Sequence, residues 1–329
     1  MNNLKDIYFT KEYGLIYEKN NEGKLQQFFL ESKKGKVIYN FLKRKIDIID
    51  GLEVYDIVTP YGYGGPLFLE YRNEDLEDLI IEFKQKFEKY CKENNIVSEF
   101  IRFHPLIENH KNMDLYMEVV NVRETICLEL DGYEHIWSNI SSKCRNMIRK
   151  AQKNNVEIFI SENKDDLYEF IEIYTNTMKK NNALDYYFFQ KEFFENTYKL
   201  LEGNIKIFRA IYNGKCISSA LIMAYGDYLH YHFSGSDINY GRVAANNLLL
   251  YEVAIWGFKN GFKYLHLGGG YSGDNDSLFK FKKSFAKNEN KKFYIGKKIH
   301  IEKIYNELVD MRMKINGNVN KNYFPEYRG

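Results

Sequence analysis

The segment "HLGGGYSGDNDSLFKFKKSF", residues 266–285, gathers several side chains that could do chemistry. His266 opens it, Gly268, Gly269 and Gly270 follow, and Phe281 and Lys282 lie near its end. The glycines come directly after a strand-like run, "YLHL". In open α/β sheets that carboxyl end faces the ligand crevice. Glycine permits unusual backbone angles and close approach of a ligand. The run lacks the Gly-Lys-Ser/Thr ending of a phosphate loop and is not a dinucleotide fingerprint. A turn that shapes a cleft and an ordinary strand-to-helix turn both fit. His266 is the best candidate for a general base, because an imidazole titrates near neutrality.

Other residues call for weighing. "YLHYHFSGS" places His230 and His232 on one strand face by its period of two, with Ser234 and Ser236 continuing the face of His232. A metal site would need a third ligand, and none is supplied nearby, so no metal is expected. His232 is better read as lining a groove or the core. The loop "TPYGYGGP" offers Tyr61 and Tyr63 either to a groove or to the rim of a tight turn. No G-x-S-x-G elbow occurs. Cys144 lies on a basic helix that could activate a thiol, but no histidine is placed beside it in sequence.

These residues need elements to position them. "KLQQFFLES" and "KVIYNFLKRKI" flank a turn and read as a hairpin. "NEDLEDLIIEFKQKFEKYCKEN" is an amphipathic helix, with Leu76, Leu79, Ile80, Phe83 and Phe87 at helical spacing and acids in its first turn. One basic helix is expected over "YEHIWSNISSKCRNMIRKAQKNN". Its Arg145 and Arg149, four apart, share a face. With Lys291, Lys292, Lys297 and Lys298 they could follow phosphates, or they could simply be solvated. Then come a strand, two helices and a three-stranded meander whose "YNGK" has the Asn-Gly signature of a tight hairpin. A helix, a strand, the opening segment and a last strand complete the order.

Composition narrows the classes. The sequence is 44% apolar and 16% aromatic, which argues against disorder. A net charge of +2 gives no overall sign of a nucleic-acid coat, so any polyanion site must be local. The four cysteines have no CxxC spacing, which points to free thiols in a reducing compartment. The N-terminus lacks the apolar stretch of a signal peptide. No run approaches the ~18–20 apolar residues of a membrane span. A cytoplasmic protein is expected.

The order of elements in the second half is that of the GNAT acyltransferase fold. "SSKCRNMIRKAQKNNVEI", "GFKYLHLGGG" and "SLFKFKKSF" resemble segments of the FemA/FemB/FemX family, over about residues 120–300. The chain departs from that pattern at Ser284, at Ala286 and at His266, where an acidic residue is usual. The resemblance implies an α/β (α+β) protein of two tandem GNAT-like domains, with mixed central sheets flanked by helices. It places the first over 1–140 plus a C-terminal tail of about 302–329, and the second over 141–301. It also implies transfer of an amino acid from aminoacyl-tRNA to an amine of a peptidoglycan precursor or related cell-envelope acceptor, without a cofactor. A peripheral membrane contact, with no transmembrane segment, is compatible with it.

Under that resemblance Lys282 stabilises an oxyanion or holds the tRNA end, and Phe281 stacks on the terminal adenine. A donor aimed at such an oxyanion is worth ~2.7–4 kcal/mol. Two other readings stay open. A CoA-dependent N-acyltransferase acting on an amino sugar would use acetyl-CoA. Its pyrophosphate turn would fall at "NYGRVAANN", where Gly241 and Arg242 stand out of register. A non-catalytic module that binds muropeptides or glycans is the third.

Overall fold

The computed structural model describes residues 4–48, 51–161, 163–271, 276–287 and 290–329. In chain order the elements are α1 (Lys11–Lys19), β1 (Lys24–Ser32), β2 (Gly35–Lys45), β3 (Tyr55–Val58), β4 (Leu67–Leu69), α2 (Leu76–Glu93), β5 (Ile96–Arg102) and β6 (Glu118–Glu129). There follow α3 (Tyr133–Asn139), α4 (Ser142–Lys153), β7 (Glu157–Ser161), α5 (Lys164–Lys180), α6 (Lys191–Leu200), β8 (Ile205–Tyr212), β9 (Lys215–Tyr225) and β10 (Tyr228–Ser236). The last are α7 (Ala245–Lys259), β11 (Tyr264–Gly268), α8 (Ser277–Lys283), β12 (Asn290–Ile299) and α9 (Glu302–Asn316). The chain divides into two compact units, one of residues 8–122 and 292–329, the other of 1–7 and 123–291.

In the first unit the strand path is β1–β2–β3–β5–β12, with β4 on β2. Of these strands β3 and β5 run parallel, and an isolated parallel bridge joins Gly64 to Phe103. A parallel pair needs a long crossover, and α2 supplies it. Leu79, Ile80, Phe83, Phe87 and Cys91 of α2 are buried in the core of this unit, as the helical spacing requires. The C-terminal tail closes a smaller cluster in which Tyr305, Leu308 and Tyr327 pack with Ile46, Val54 and Val97.

The second unit repeats that logic. Its path is β6–β11–β10–β9–β8–β7, antiparallel except for β10 and β11. Here α7 makes the crossover. It is apolar on most of its surface, which marks a buried helix, and Leu248, Leu249, Leu250, Val253 and Ala254 are indeed in the core. The β8–β9 hairpin turns at Asn213 and Gly214, both with positive φ (50° and 76°), as a primed turn demands. The fold is therefore mixed α/β, built on sheets flanked by helices.

The parallel pairing of β10 with β11 covers only Tyr228–His230 against Tyr264–His266. Just beyond it each strand has a bulge. On β10 the register slips between Tyr231 and Phe233, and on β11 between His266 and Gly268. Bulges bend a strand and re-aim its side chains, so the two strands lose their common register at the height of the glycine turn.

Three expectations need correction. The basic helix is two helices. Ile140 is extended (φ −72°, ψ 133°), and Ser141 caps a new helix by accepting from the Cys144 N–H at 3.3 Å. The first unit does not begin with strands. Thr10 caps α1 by accepting from the Tyr13 N–H at 3.2 Å. The alternation of His230 and His232 is interrupted by the bulge between them.

Candidate active site

The residues of the second unit converge around Lys282. Helix α8 begins where Asp276 accepts from the Phe279 N–H at 2.8 Å, the acceptor geometry of an N-cap. Phe279, buried in the core, fixes the helix, and Lys282 follows it on the inward side. Two further bonds strap the end of α8 to the α3–α4 corner. The Ser141 N–H donates to the Ser284 carbonyl at 2.8 Å, and the Lys287 N–H donates to the Asn139 carbonyl at 3.3 Å.

Lys282 is only 8% exposed. Its Nζ donates to the Gly269 carbonyl at 2.8 Å and lies 6.0 Å from the centre of the Tyr231 ring. Among the described residues that is its one hydrogen bond, and an ammonium group has three N–H donors. Burial pushes its pKa down to about 8, and the Asp276 carboxylate opposes the shift. The amine is thus poised to be charged or neutral near physiological pH.

The glycine turn holds the partner of Lys282. Gly268 ends β11 at φ +73°, a left-handed conformation that suits glycine. Gly269 presses against the Glu124 backbone, where a Cβ would come within 3.1 Å of the Glu124 carbonyl. Gly270 is half-buried in the irregular chain that follows. Residues 272–275 of the opening segment lie outside the described residues. Tyr231 has its hydroxyl pKa pushed up to about 12 by burial, against a hydrogen bond from Ser234. His232 is half-buried, and desolvation, with His230 nearby adding to the effect, lowers its pKa to about 3, so it is neutral. Its ring lies 4.1 Å from that of Phe233.

The other expected site residues are placed as follows. Phe281 is half-buried, with its ring edge-on to Phe285 at 5.4 Å. His266 does not stand at a cleft lip as a base would. It is enclosed in the sheet at 2% exposure, with Nε2 3.0 Å from the Thr125 hydroxyl and its ring edge-on to His230 at 5.6 Å. Pairing on both sides of a central strand encloses it. Arg242 is exposed on a short 3-10 turn, Ile238–Val243, ahead of α7. Arg145 is half-buried and Arg149 exposed on α4, and both reach over the Trp137 ring. Lys298 is not available for phosphate, because it pairs with Glu88 at 2.8 Å.

Tyr61 and Tyr63 belong to the other unit. The Tyr61 carbonyl accepts from the Tyr13 hydroxyl at 2.6 Å, and Tyr63 packs edge-on against Tyr8 and Phe293. The sequence passes over Tyr231 and Trp137. The Asp276 cap was legible, since Asp before a short apolar run is a helix-start signal. Tyr231 was not, because its orientation depends on the bulge beside it.

Residues 138–283 match the model of an acetyltransferase (GNAT) domain. The chain is 23% identical over 322 residues to the UDP-N-acetylmuramoylpentapeptide-lysine N(6)-alanyltransferase of Weissella viridescens, covering 91% of each. The crystal structure of FemX matches over 92% of this chain and 94% of that one, with a TM-score of 0.72 at 13% identity. The chain is similar, almost end to end, to a FemX-type transferase. A second solved structure, the C-terminal domain of a putative lysylphosphatidylglycerol synthetase from Agrobacterium fabrum, shares the fold at a TM-score of 0.53 and 13% identity, over 84% of each chain. The GNAT match lies inside the unit that carries Lys282, and it includes both the glycine turn and Phe281. Among the described residues no helix is long and apolar enough to cross a membrane.

Proposed function

We propose that this protein is an aminoacyltransferase that moves an amino acid from aminoacyl-tRNA to an amine of a peptidoglycan precursor's stem peptide. The observation that carries this reading is the buried Lys282 amine on the Gly269 carbonyl, in a chain that aligns almost end to end with an alanyltransferase of such a precursor.

The chemistry follows from the geometry. The acceptor nitrogen gives its lone pair to the ester carbon, and the carbonyl electron pair moves onto oxygen. The charged Lys282 donates one of its remaining N–H groups to that oxyanion. Collapse restores the C=O bond and breaks the C–O bond to the terminal ribose, whose oxygen takes up the proton lost by the new amide. No covalent enzyme intermediate is required. The protein must hold two substrates in line and keep water out. Gly268, whose missing side chain would face the Lys282 amine, allows the donor ester to approach the backbone, and the open part of the Phe281 ring stacks on the terminal base. Enclosed beside Thr125, His266 positions the end of β11 and does not touch substrate.

The test combines purified protein, tRNA charged with labelled amino acids, and UDP-N-acetylmuramoyl-pentapeptide, with acetyl-CoA as a separate donor. Label should reach the pentapeptide from tRNA and be abolished by RNase. Absence of RNase-sensitive transfer with every amino acid, or transfer from acetyl-CoA instead, would overturn the proposal.

A further inference from the structure

Helix α4 has a polarity that its own fold does not use. It buries Cys144, Ile148 and Ala151 in the core. Its outward face carries Lys143, Arg149, Lys150 and Lys153, with Arg145 half-buried beside them and no acidic residue anywhere on the helix. Among the described residues none of these five cations forms an ion pair. Like charges on one helix repel, so an unpaired set of this kind costs stability unless a polyanion covers it.

Trp137, on α3, gives the face its second feature. The Arg149 guanidinium lies 5.2 Å from the indole centre and that of Arg145 lies 5.9 Å from it. The Arg145 Nη1 also donates to the Trp137 carbonyl at 3.1 Å, while the ring rests edge-on against Tyr251 at 5.2 Å. The guanidinium planes are thereby held in place rather than free to wander. The third feature is continuity with the active site. The same α3–α4 corner receives the end of α8 through Ser141 and Asn139, and the Lys287 Nζ donates to the Ser138 carbonyl at 3.0 Å. The helix that carries Phe281 and Lys282 is therefore fastened to the corner from which the cationic face extends.

We infer that the outward face of α4, together with Trp137, docks an RNA duplex: the stem of the molecule whose charged end enters beside Lys282. The inference rests on the RNA-borne donor proposed above. It adds a second region that would grip the stem, distinct from the residues at the acyl group. RNA duplexes are recognised mainly through their backbone phosphates and shape, which suits exposed cations along a helix about 18 Å long. A membrane surface fits less well. A helix lying on lipid presents an apolar face to it, and the apolar face of α4 is buried.

The experiment measures binding of a labelled, uncharged acceptor-stem minihelix to the full-length protein by anisotropy over a range of salt. The wild type, R149A/K150A/K153A and K199A are compared, the last removing an exposed lysine on α6. Wild-type binding should weaken steeply with salt. The triple variant should bind at least tenfold more weakly, and its log–log salt slope should be shallower by roughly 0.9 for each phosphate that it no longer neutralises. K199A should match the wild type. Of the two tryptophans, only Trp137 should report RNA by fluorescence, so W137F should remove the signal while Trp256 still emits. If the triple variant melts early, R149Q alone gives the same comparison. Equal affinity and slope in wild type and variant, or no minihelix binding by the wild type at low salt, overturns the inference. So does loss of binding to anionic vesicles with RNA binding unchanged. Minihelix binding that depends on α4 without any transfer to the pentapeptide would overturn the proposed function and leave this docking face standing.

Discussion

The Lys282 amine and the Gly269 carbonyl are 2.8 Å apart, and the oxygen belongs to a residue with no side chain to shield it. The lysine is thus aimed by main chain. Truncation should leave the fold intact and remove the cation from the oxyanion. In K282A, kcat should fall about 10²–10³-fold, as for loss of one oxyanion donor, with a much smaller change in KM. Steady-state kinetics with charged tRNA would check it, and an unchanged kcat would remove Lys282 from the chemistry.

The same burial sets a pH dependence. With a pKa of about 8 in the fold, Lys282 is charged below pH 8 and loses its proton above it. Because the charged form donates to the oxyanion, kcat should decline as pH rises past 8. K282R, which stays charged, should lose that decline, whatever its absolute rate. A pH profile of kcat from 6 to 10 distinguishes the two.

Stability should move the opposite way. Below pH 8 both folded and unfolded chains carry the proton, and the fold bears the full cost of a buried ammonium. Between about 8 and 10.5 the unfolded chain still holds a proton that the fold has released, so stability rises with pH. The gap corresponds to ~3 kcal/mol. K282M removes the charge, so below pH 8 it should melt at a higher temperature than the wild type. The difference should shrink as pH rises toward 10. Calorimetry at several pH values would read this, and a lower melting temperature for K282M at pH 7 would contradict it.

Gly235 on β10 tests the frame rather than the chemistry. A Cβ there would come within 2.7 Å of the Ile173 carbonyl on α5. Backbone cannot give way as a flexible side chain can. G235A should therefore destabilise the protein by ~1–3 kcal/mol, as overpacking does, with a lower denaturation midpoint. G269A faces a milder approach, 3.1 Å from the Glu124 carbonyl. It should cost less stability and yet lower kcat, because it displaces the oxygen that aims Lys282.

Much of this architecture is written in local pattern. The apolar spacing of α2, the Asn213–Gly214 turn and the run of strands from β8 to β10 are readable residue by residue. The order of elements and the segment around Phe281 and Lys282 together point to the fold and the family. What escapes the sequence depends on distant partners. Gly14 in the middle of α1 disguises a helix, and its purpose is visible only where a Cβ would strike Leu25. The bulges beside His232 and Leu267 are matters of register between strands. The enclosure of His266 needs Thr125 from a strand far away in sequence, and the Trp137 platform needs two helices to meet at a corner.

The parallel pairing of β10 with β11 ends at His230 and His266, with a bulge on each strand just beyond, so main-chain register helps to shape the site as well as side chains. Peptide groups are the part of a protein that substitution cannot erase. Most side chains around such a strand pair can differ while the fold persists, as the 13% identity and TM-score of 0.72 with FemX illustrate. Selection would then act at few positions, and new acceptors could be tried without rebuilding the place where the bond is made.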